Sequence, residues 1–310
     1  MRVKVLGSAA GGGFPQWNCA CRNCRHMRDG SLRGRPRTQT QLAFSTDSKV
    51  WFLVSASPDL RTQILATPEL APHEGSVPSP IAGVFLPSAD VDSVMGLLHL
   101  REFQSFFAFA TSGVQRVLHK ENRIFRVLER AVPPVKWLTL SSKGRLGCHL
   151  SEQPGAKPEF ICGTVPLGGE YPDYVGEEVA RTLPPDEAVV GFVFQNSEKS
   201  IFYAPSLGGD FGAWRFSAEM ADLAFLDGTF WSDDELIKTS RSTKTAREMG
   251  HLPLWGPDGL LAQYPSNTKG RKVLIHINNT NPILDETSAE HRAVLDAGWE
   301  IAYDGMEVKL

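Results

Sequence analysis

The sequence lacks any apolar run long enough to cross a membrane, and it carries no excess of positive charge. It has 32 Lys and Arg residues against 35 Asp and Glu residues, which gives a formal net charge of −3. A chain with this balance is not expected to bind nucleic acid, because such binding depends on cations that contact phosphates. A membrane helix needs about 18 consecutive apolar residues, so we expect no stable membrane insertion. The sequence also lacks G-x-G-x-x-G and G-x-x-x-x-G-K-[ST], the two common nucleotide-binding loops.

Cysteine is scarce and unevenly distributed. Of the five cysteines, three lie between positions 19 and 24. The first residues, "MRVKVLGSAAGGG", form too short an apolar core for a secretory signal. An odd number of cysteines without an export signal indicates a reducing compartment. We therefore expect a cytoplasmic protein in which the cysteine cluster binds a metal rather than forming disulfides.

Segments typical of strands and of helices alternate along the chain. "RVKVLGS", "VWFLVSAS" and "IAGVFLPS" are predicted strands, and "PDLRTQILAT" and "SAEHRAVLDAGW" are predicted helices. In the middle of the chain, strands separated by Gly, Pro and charged turns favour antiparallel pairing. No linker or low-complexity segment interrupts the sequence. We therefore predict one mixed α/β domain over residues 1–310, with sheets packed on each other and helices outside.

The stretch "QWNCACRNCR" places Cys19, Cys21 and Cys24 in the spacing C-x-C-x-x-C. Cysteines two positions apart do not easily form a disulfide with each other. Zinc binds thiolates at about 2.3 Å and takes a fourth ligand from a distant segment, so we predict a structural zinc at these cysteines. His276 and Asn279, in "IHINNTNP", are the candidates for the fourth ligand. The alternatives are a redox or catalytic role for the thiols, and three unrelated buried thiols.

Several longer stretches resemble a known family. "LGSAAGGGFPQWNCACRNC", "FLDGTFWSDDE", "MGHLPLWGPDG" and "IHINNTNPILDE" are similar to the family of pyrroloquinoline quinone (PQQ) biosynthesis protein B, PqqB, and the similarity spans nearly the whole chain. The resemblance implies the metallo-β-lactamase fold, an αββα sandwich. It also implies a metal-dependent hydroxylase or oxygenase that acts on a tyrosine-derived ring while PQQ is made from a Glu and a Tyr of a precursor peptide. Transport of PQQ or its precursor to the periplasm is a second role that the resemblance implies.

The same resemblance directs attention to the loop "SADVDS" at residues 88–93. Proteins with this fold carry metal ligands here in the pattern H-x-H-x-D-H. In this chain Ser88 and Asp90 stand at the first two histidine positions, and Ser93 stands at the last. Asp92 alone matches the pattern. We therefore expect this second site to bind metal weakly or not at all.

Asp92, Asp227, His251 and His276 remain as candidate ligands or catalytic residues of that site. Two imidazoles and one carboxylate are the ligand set of non-heme Fe(II) oxygenases, so these residues could still hold iron. Each residue also has a purely structural interpretation, because an Asp before Gly-Thr is a common turn former and a His is often simply hydrogen-bonded. The apolar neighbours of His276 predict a neutral imidazole that is able to bind metal at either site.

Arg35, Arg37 and Asn278 are the candidate substrate-binding residues. Guanidinium groups bind carboxylates through paired hydrogen bonds, which suits a PQQ-like ligand. The alternatives are a solvated basic loop for the two arginines and an ordinary strand-to-turn transition for the asparagine.

Three functions compete on these observations. The first is an iron-dependent hydroxylase or oxygenase of PQQ biosynthesis. The second is a protein that binds or carries PQQ or a peptide-derived precursor and has a degenerate metal site, which the serines of the loop favour. The third, a metallohydrolase, is disfavoured because hydrolysis needs a metal that lowers the pKa of bound water, and three histidine positions are lost. The sequence allows a homodimer.

Overall fold

The protein is an α/β structure in which two sheets pack face to face. The computed structural model describes residues 1–72, 79–102, 104–132, 134–148, 159–209, 211–264 and 270–310. Within these residues the chain forms two seven-stranded sheets, so the predicted packing of sheet on sheet is confirmed. In the described part of the chain, no helix is long and apolar enough to span a membrane.

The first sheet contains strands from both ends of the chain. Its strands are β1 (Arg2–Gly7), β2 (Gln41–Ser45), β3 (Trp51–Val54), β4 (Ile81–Phe85), β5 (Phe107–Thr111) and β6 (Lys136–Leu140). The last strand of the chain, numbered β14 (Glu307–Lys309), pairs with β1, and β1, β2 and β3 pair in antiparallel fashion. The pairs from β3 to β6 are parallel.

The second sheet is built from the remaining strands. They are β7 (Arg145–Cys148), β8 (Phe160–Pro166), β9 (Val190–Gln195), β10 (Ser200–Ala204), β11 (Leu223–Asp227), β12 (Arg271–Ile275) and β13 (Glu300–Ile301). The pairs from β7 to β10 are antiparallel, as the sequence of the central region predicts. The pairs from β10 to β13 are parallel.

Aromatic side chains fill the space between the two sheets. Phe44 of β2 and Phe85 of β4 meet Phe194 of β9 with ring centroids 4.3 Å and 4.9 Å apart. Burying each such ring stabilises the fold by about 1.5–3 kcal/mol relative to exposure. These strands are buried along almost their whole length, because their other faces are covered as well.

Helices cover the outer faces of the sheets. They are α1 (Arg22–Asp29), α2 (Leu60–Leu65), α3 (Val91–Val94), α4 (Ser112–Arg116), α5 (Glu177–Ala180), α6 (Phe211–Met220), α7 (Glu235–Lys238), α8 (Leu260–Gln263) and α9 (Ala289–Asp296). Short 3-10 turns join several of them. Leu60 of α2, Trp214 of α6 and Val294 of α9 are almost completely buried beneath these helices.

Two elements differ from what the sequence predicts. The stretch "EIAYDGMEVKL" reads as one strand, but it forms β13 and β14 in different sheets, because the chain turns at Gly305, where φ is 88°. The stretch "VQRVLHKENRIFRVLERA" reads as one helix, but the helical path is interrupted at Asn122, whose backbone is extended (φ −127°, ψ 94°). Neither change affects the layers.

One end of the two sheets carries a cleft whose lining residues lie mostly at or after the carboxyl ends of strands. The loops after β3, β4, β10, β11 and β12 open at the same end of the two sheets and line a single cleft there. Side chains for binding and chemistry gather at this edge of α/β sheets because the loops are free to vary while the strands hold them in place.

Candidate functional site

The three clustered cysteines lie on a loop and on the helix that follows it. Cys21 is the N-cap of α1, and its sulfur accepts a hydrogen bond from the backbone N–H of Cys24 at 3.5 Å. The sulfurs of Cys19, Cys21 and Cys24 lie within 4.8 Å of one another. Cys19 and Cys24 are buried and Cys21 is half-buried. The sequence predicts the cluster but not the helix, because "RNCRHMRD" has almost no apolar stripe.

Asn279 lies directly against this cysteine cluster. Its side-chain nitrogen is 3.0 Å from the sulfur of Cys19, 3.6 Å from that of Cys21 and 3.3 Å from that of Cys24. An asparagine amide presents its nitrogen to an acceptor and, after rotation about its last bond, its oxygen to a cation. Of the two predicted candidates for the fourth position, the structure brings Asn279 to the sulfurs and turns His276 elsewhere.

A hydrogen bond within the cluster moves the pKa values of two of its thiols in opposite directions. The hydrogen bond from the Cys21 thiol lowers the pKa of Cys24 to about 7, even though burial opposes this. The same hydrogen bond, together with burial, raises the pKa of Cys21. Three cysteine sulfurs are ligands that a structural zinc takes, and the side chain of Asn279 occupies the fourth side of the cluster. These residues therefore fit the predicted metal.

The second group of candidate ligands assembles from four separate elements. Asp227 is the last residue of β11, His276 follows β12, His251 lies in a loop, and Asp92 lies in the first turn of α3. One ligand atom from each of Asp227, His251 and His276 lies within 4.8 Å of the other two. Asp92 joins them, because its Oδ2 is 3.2 Å from Nε2 of His276.

Asp227 is fully buried and both of its carboxylate oxygens already accept hydrogen bonds. Oδ2 accepts from Nδ1 of His251 at 3.0 Å and from the backbone N–H groups of Leu207 and Leu252 at 3.0 Å and 3.3 Å. Oδ1 accepts from the backbone and the hydroxyl of Thr229 at 3.0 Å and 2.6 Å. Burial favours the protonated acid, but the charge and hydrogen bond of His251 outweigh it and lower the pKa of Asp227. The carboxylate orients His251, whose Nε2 is left to face the cleft.

His276 is held between two hydrogen-bond partners. Its Nδ1 is 2.9 Å from the hydroxyl of Thr229, and its ring lies parallel to that of His251 with centroids 5.3 Å apart. Burial acts to lower the pKa of His276, but the hydrogen bond to Asp92 and the charges of Asp92 and Asp227 outweigh burial and raise it. The apolar neighbours in sequence predict a neutral ring. In space, the carboxylates of Asp92 and Asp227 favour its charged form, and the neutral ring stays a prediction.

In the loop after β4, the side chain of Ser88 is hydrogen-bonded to a carboxylate of the same loop. The hydroxyl of Ser88 donates to Oδ2 of Asp90 at 2.7 Å. Burial, and then the charge of Asp92, raise the pKa of Asp90. Ser88, Asp90 and Ser93 all line the cleft at the positions where the fold pattern calls for histidine. The metal-binding capacity of this loop therefore rests on its two carboxylates.

The cleft above these residues has a volume of about 1020 Å³. The predicted substrate-binding residues Arg35, Arg37 and Asn278 are not among the residues that line it. Arg37 is buried, and its guanidinium donates to the hydroxyl of Ser8 at 3.0 Å and to the carbonyl of Ala302. Arg37 therefore links the segment that follows β1 of the first sheet to the segment that follows β13 of the second.

The other two predicted substrate-binding residues also have partners elsewhere. Arg35 forms an exposed ion pair with Glu286 at 3.3 Å and stacks over the ring of Tyr303 at 4.5 Å. The side-chain nitrogen of Asn278 donates to the hydroxyl of Thr280 at 2.6 Å.

The lining of the cleft includes residues that the sequence did not single out. Lys244 and Arg247 supply positive charge, and neither has a carboxylate within 4.0 Å among the described residues. Tyr203 and Ser55 supply hydroxyls, with their oxygens 3.4 Å apart. Ser55 has a φ of 67°, which is unusual for a residue with a side chain. No sequence pattern predicts that a basic residue of a loop will line a cleft, because tertiary packing sets the path of the loop.

Comparison with known proteins gives a consistent result. A family model described as the β-lactamase superfamily domain matches residues 50–277. The chain is 41% identical over 313 residues to the coenzyme PQQ synthesis protein B of Xanthomonas campestris pv. campestris (strain B100), with 100% of both chains covered. It is 40% identical over 311 residues to the protein of the same name from Pseudomonas paraeruginosa (strain DSM 24068 / PA7), again with 100% of both covered.

Solved structures agree with the sequence matches. The crystal structure of Zn²⁺-bound PqqB from Methylobacterium extorquens is 38% identical, covers 100% of both chains and superposes with a TM-score of 0.89. A diphosphatase of the PhnP family is 20% identical and superposes with a TM-score of 0.65 over 100% of this chain and 97% of that one. The second likeness concerns the fold alone.

Proposed function

We propose, from the premise that the chain belongs to the family of coenzyme PQQ synthesis protein B in the β-lactamase superfamily, that it is a metal-dependent hydroxylase or oxygenase of PQQ synthesis. Its substrate in this proposal is a precursor that carries a tyrosine-derived ring. The free cysteines of the chain are those of a protein in a reducing compartment, so we place the reaction in the cytoplasm.

The observation that carries the proposal is the convergence of two imidazoles and a carboxylate at the base of the cleft. Asp92 and His276 are in contact, and the ring of His276 lies against that of His251. Two histidines and one carboxylate that bind on one side of a metal leave open positions on the other. An iron ion at these residues supplies the activation of dioxygen when it is bound.

Other residues of the chain serve this set by orienting it. Asp227 accepts from Nδ1 of His251, so Nε2 of that ring carries the free electron pair. Thr229 fixes the ring of His276 through its hydroxyl. Carboxylates and hydroxyls that hold ligating histidines in this way raise metal affinity by about ten- to hundred-fold.

Two cations of the cleft can pair with an acidic substrate. In this proposal Lys244 and Arg247 bind carboxylates of the precursor, although the same lining also carries five acidic residues, Asp90, Asp92, Glu170, Asp173 and Glu248. Arginine and lysine contacts to carboxylates are stronger than neutral hydrogen bonds. The substrate ring is thereby held with its edge towards the histidines.

The test is a hydroxylation assay on protein reconstituted with Fe(II) without air. A tyrosine-containing peptide is added with dioxygen and ascorbate as the two-electron reductant. One oxygen atom enters a C–H bond of the ring, and the other leaves as water with the two electrons and two protons. Mass spectrometry with isotopically labelled dioxygen should show one labelled oxygen in the peptide. His251→Ala protein, treated identically, is the control, and product at the same rate in both would refute the proposal.

One observation favours a second candidate, a protein that binds PQQ or its precursor without turnover. Ser88 bonds to Asp90, and Asp227 is saturated, so few side chains remain for a metal. Under this alternative, PQQ binds to protein that has been stripped of iron with unchanged affinity. Under the enzyme hypothesis, binding of the substrate weakens when the metal is removed.

A further inference from the structure

The cysteine cluster and the histidine site share one short segment of chain. His276 and Asn279 are three positions apart, and the first belongs to one site while the second touches the other. His276 has a φ of 60°, in the left-handed region. A residue with a side chain is disfavoured there, so contacts on both sides must hold the backbone in place.

On the side of the cysteines, the segment is fixed at several atoms. The amide nitrogen of Asn279 contacts all three sulfurs. Its backbone carbonyl accepts from the side chain of Asn23 at 3.2 Å, and the same Asn23 nitrogen donates to the carbonyl of Asn281 at 2.9 Å. Asn23 lies between two of the cysteines on α1. The position of the helix and the position of the segment are therefore set together.

On the side of the histidines, the same segment continues into the second site. The side chain of Asn281 donates to the carbonyls of Gly228 and Thr229 at 3.0 Å and 3.2 Å. The hydroxyl of Thr229 in turn contacts Oδ1 of Asp227 at 2.6 Å and both Nδ1 and the carbonyl of His276 at 2.9 Å. A continuous series of hydrogen bonds thus runs from the sulfurs to the histidine ring.

We propose that the cysteine cluster is a positioning site for His276 and that Asn279 is the positioning residue that connects them. Metal at the sulfurs fixes Asn279, which holds residues 276–281 in the geometry that the second site requires. Because coupling between two binding sites is reciprocal, metal at each site then strengthens binding at the other. This inference rests on the proposed function only in that both sites bind metal.

The first test compares metal binding by Asn279→Ala and wild-type protein. A single equivalent of zinc is added, so that only the cysteine cluster is filled, and Mn²⁺ is then titrated, because Mn²⁺ prefers carboxylate oxygens over thiolate. Electron paramagnetic resonance counts the free Mn²⁺. We expect the variant to bind Mn²⁺ about ten- to hundred-fold more weakly. Mn²⁺ affinity within two-fold of wild type in a folded variant would overturn the proposal.

A matched control separates this effect from general loss of stability. Asn196 bonds through its side chain to the backbone N–H groups of Glu198 and Lys199 in the turn between β9 and β10, far along the chain from both sites. Asn196→Ala should leave Mn²⁺ affinity unchanged. If it weakens binding as much as Asn279→Ala does, the coupling is not specific and the proposal fails.

The second test needs no variant at Asn279 and therefore stands even if that variant does not fold. Wild-type protein is mixed with a chromophoric zinc chelator, and the rate of zinc transfer is measured with and without Mn²⁺. We expect Mn²⁺ to slow the transfer, and to have no effect in His276→Ala protein. Equal rates in wild-type protein with and without bound Mn²⁺ would overturn the proposal. Both tests read metal binding, so a failure of the hydroxylase assay has no bearing on them.

Discussion

Nδ1 of His251 and Oδ2 of Asp227 lie 3.0 Å apart, and neighbouring residues donate all the other hydrogen bonds that this carboxylate accepts. This pair is the most completely built feature of the cleft. The carboxylate has no exposed surface, so its negative charge acts on the histidine ring and on the backbone around it rather than on solvent.

Replacing this carboxylate tests its supporting role. Asp227→Asn keeps the size of the side chain. Its amide nitrogen is a donor, however, so it cannot accept the hydrogen bonds that the carboxylate oxygen accepts. We expect Mn²⁺ affinity at the second site to fall about ten- to hundred-fold and the free energy of unfolding to fall by about 3–5 kcal/mol. Titration followed by paramagnetic resonance, and urea denaturation, measure the two effects.

The matched control lies at the other end of the same strand. Asp222 precedes β11 and forms a partly exposed ion pair with Lys199 at 3.2 Å. Exposed pairs of this kind contribute about 0–1 kcal/mol, so Asp222→Asn should change stability little and metal affinity not at all. Equal effects of the two variants would contradict the role that we assign to Asp227.

Removal of one cysteine tests the predicted zinc. Cys21→Ser should lose one zinc per chain together with a large part of the yield of folded protein, because binding at a structural zinc site is also folding free energy. Elemental analysis and thermal melting measure these quantities. Cys148→Ala, which removes a buried thiol from the core between the sheets, should retain the zinc. A well-folded Cys21→Ser protein with the melting temperature of the wild type would show that the cluster has no structural role.

Restoring a histidine tests the loop after β4. Ser93 lines the cleft beside Asp92, where the fold pattern places an imidazole. Wild-type protein should lose iron on dialysis, whereas Ser93→His should bind Fe(II) at least about ten-fold more tightly, because an additional imidazole completes the ligand set. Iron analysis after dialysis measures the difference. Ser242→His, on another loop of the same cleft, is the control, and no gain in Ser93→His would mean that this position faces away from the metal.

Much of the architecture follows from local sequence patterns. Alternating apolar residues and turn signals predict most of the strands, and the spacing of the cysteines predicts their cluster. The two histidines and the carboxylates were selected through the family resemblance, and the structure brings them together. That the whole chain forms one domain stays a prediction, which the pairing of β14 with β1 supports.

The remainder depends on contacts that no local pattern encodes. Arg37 looks like a solvent-exposed cation in the sequence, yet it is buried, and burial lowers its pKa to about 10. The five donors around Asp227 belong to four residues in three separate parts of the chain, so no local sequence pattern shows that all of its hydrogen-bonding positions are filled. Lys244 and Arg247 reach the cleft only because of the path of a loop. Charges on loops are therefore the part of a site that sequence alone predicts least well.

The choice between two pairs of cations is the sharpest test of the substrate site. The sequence points to Arg35 and Arg37, whereas the cleft is lined by Lys244 and Arg247. We expect the Lys244→Ala, Arg247→Ala double variant to bind PQQ at least about ten-fold more weakly, a loss of about 1.4 kcal/mol, because carboxylates of the ligand lose their charged partners. Arg35→Ala is the control, since its guanidinium is half-exposed and already paired with Glu286, and it should bind PQQ like the wild type.

Calorimetry on the three proteins decides between these outcomes, and repeating it at higher salt should weaken wild-type binding more than binding by the double variant. Weaker binding in Arg35→Ala and unchanged binding in the double variant would show that PQQ binds at the arginines predicted from the sequence. If wild-type protein at a concentration of about 100 μM gives no heat, any binding is weaker than about −5 kcal/mol, and PQQ itself would then have to be abandoned as a ligand of this cleft.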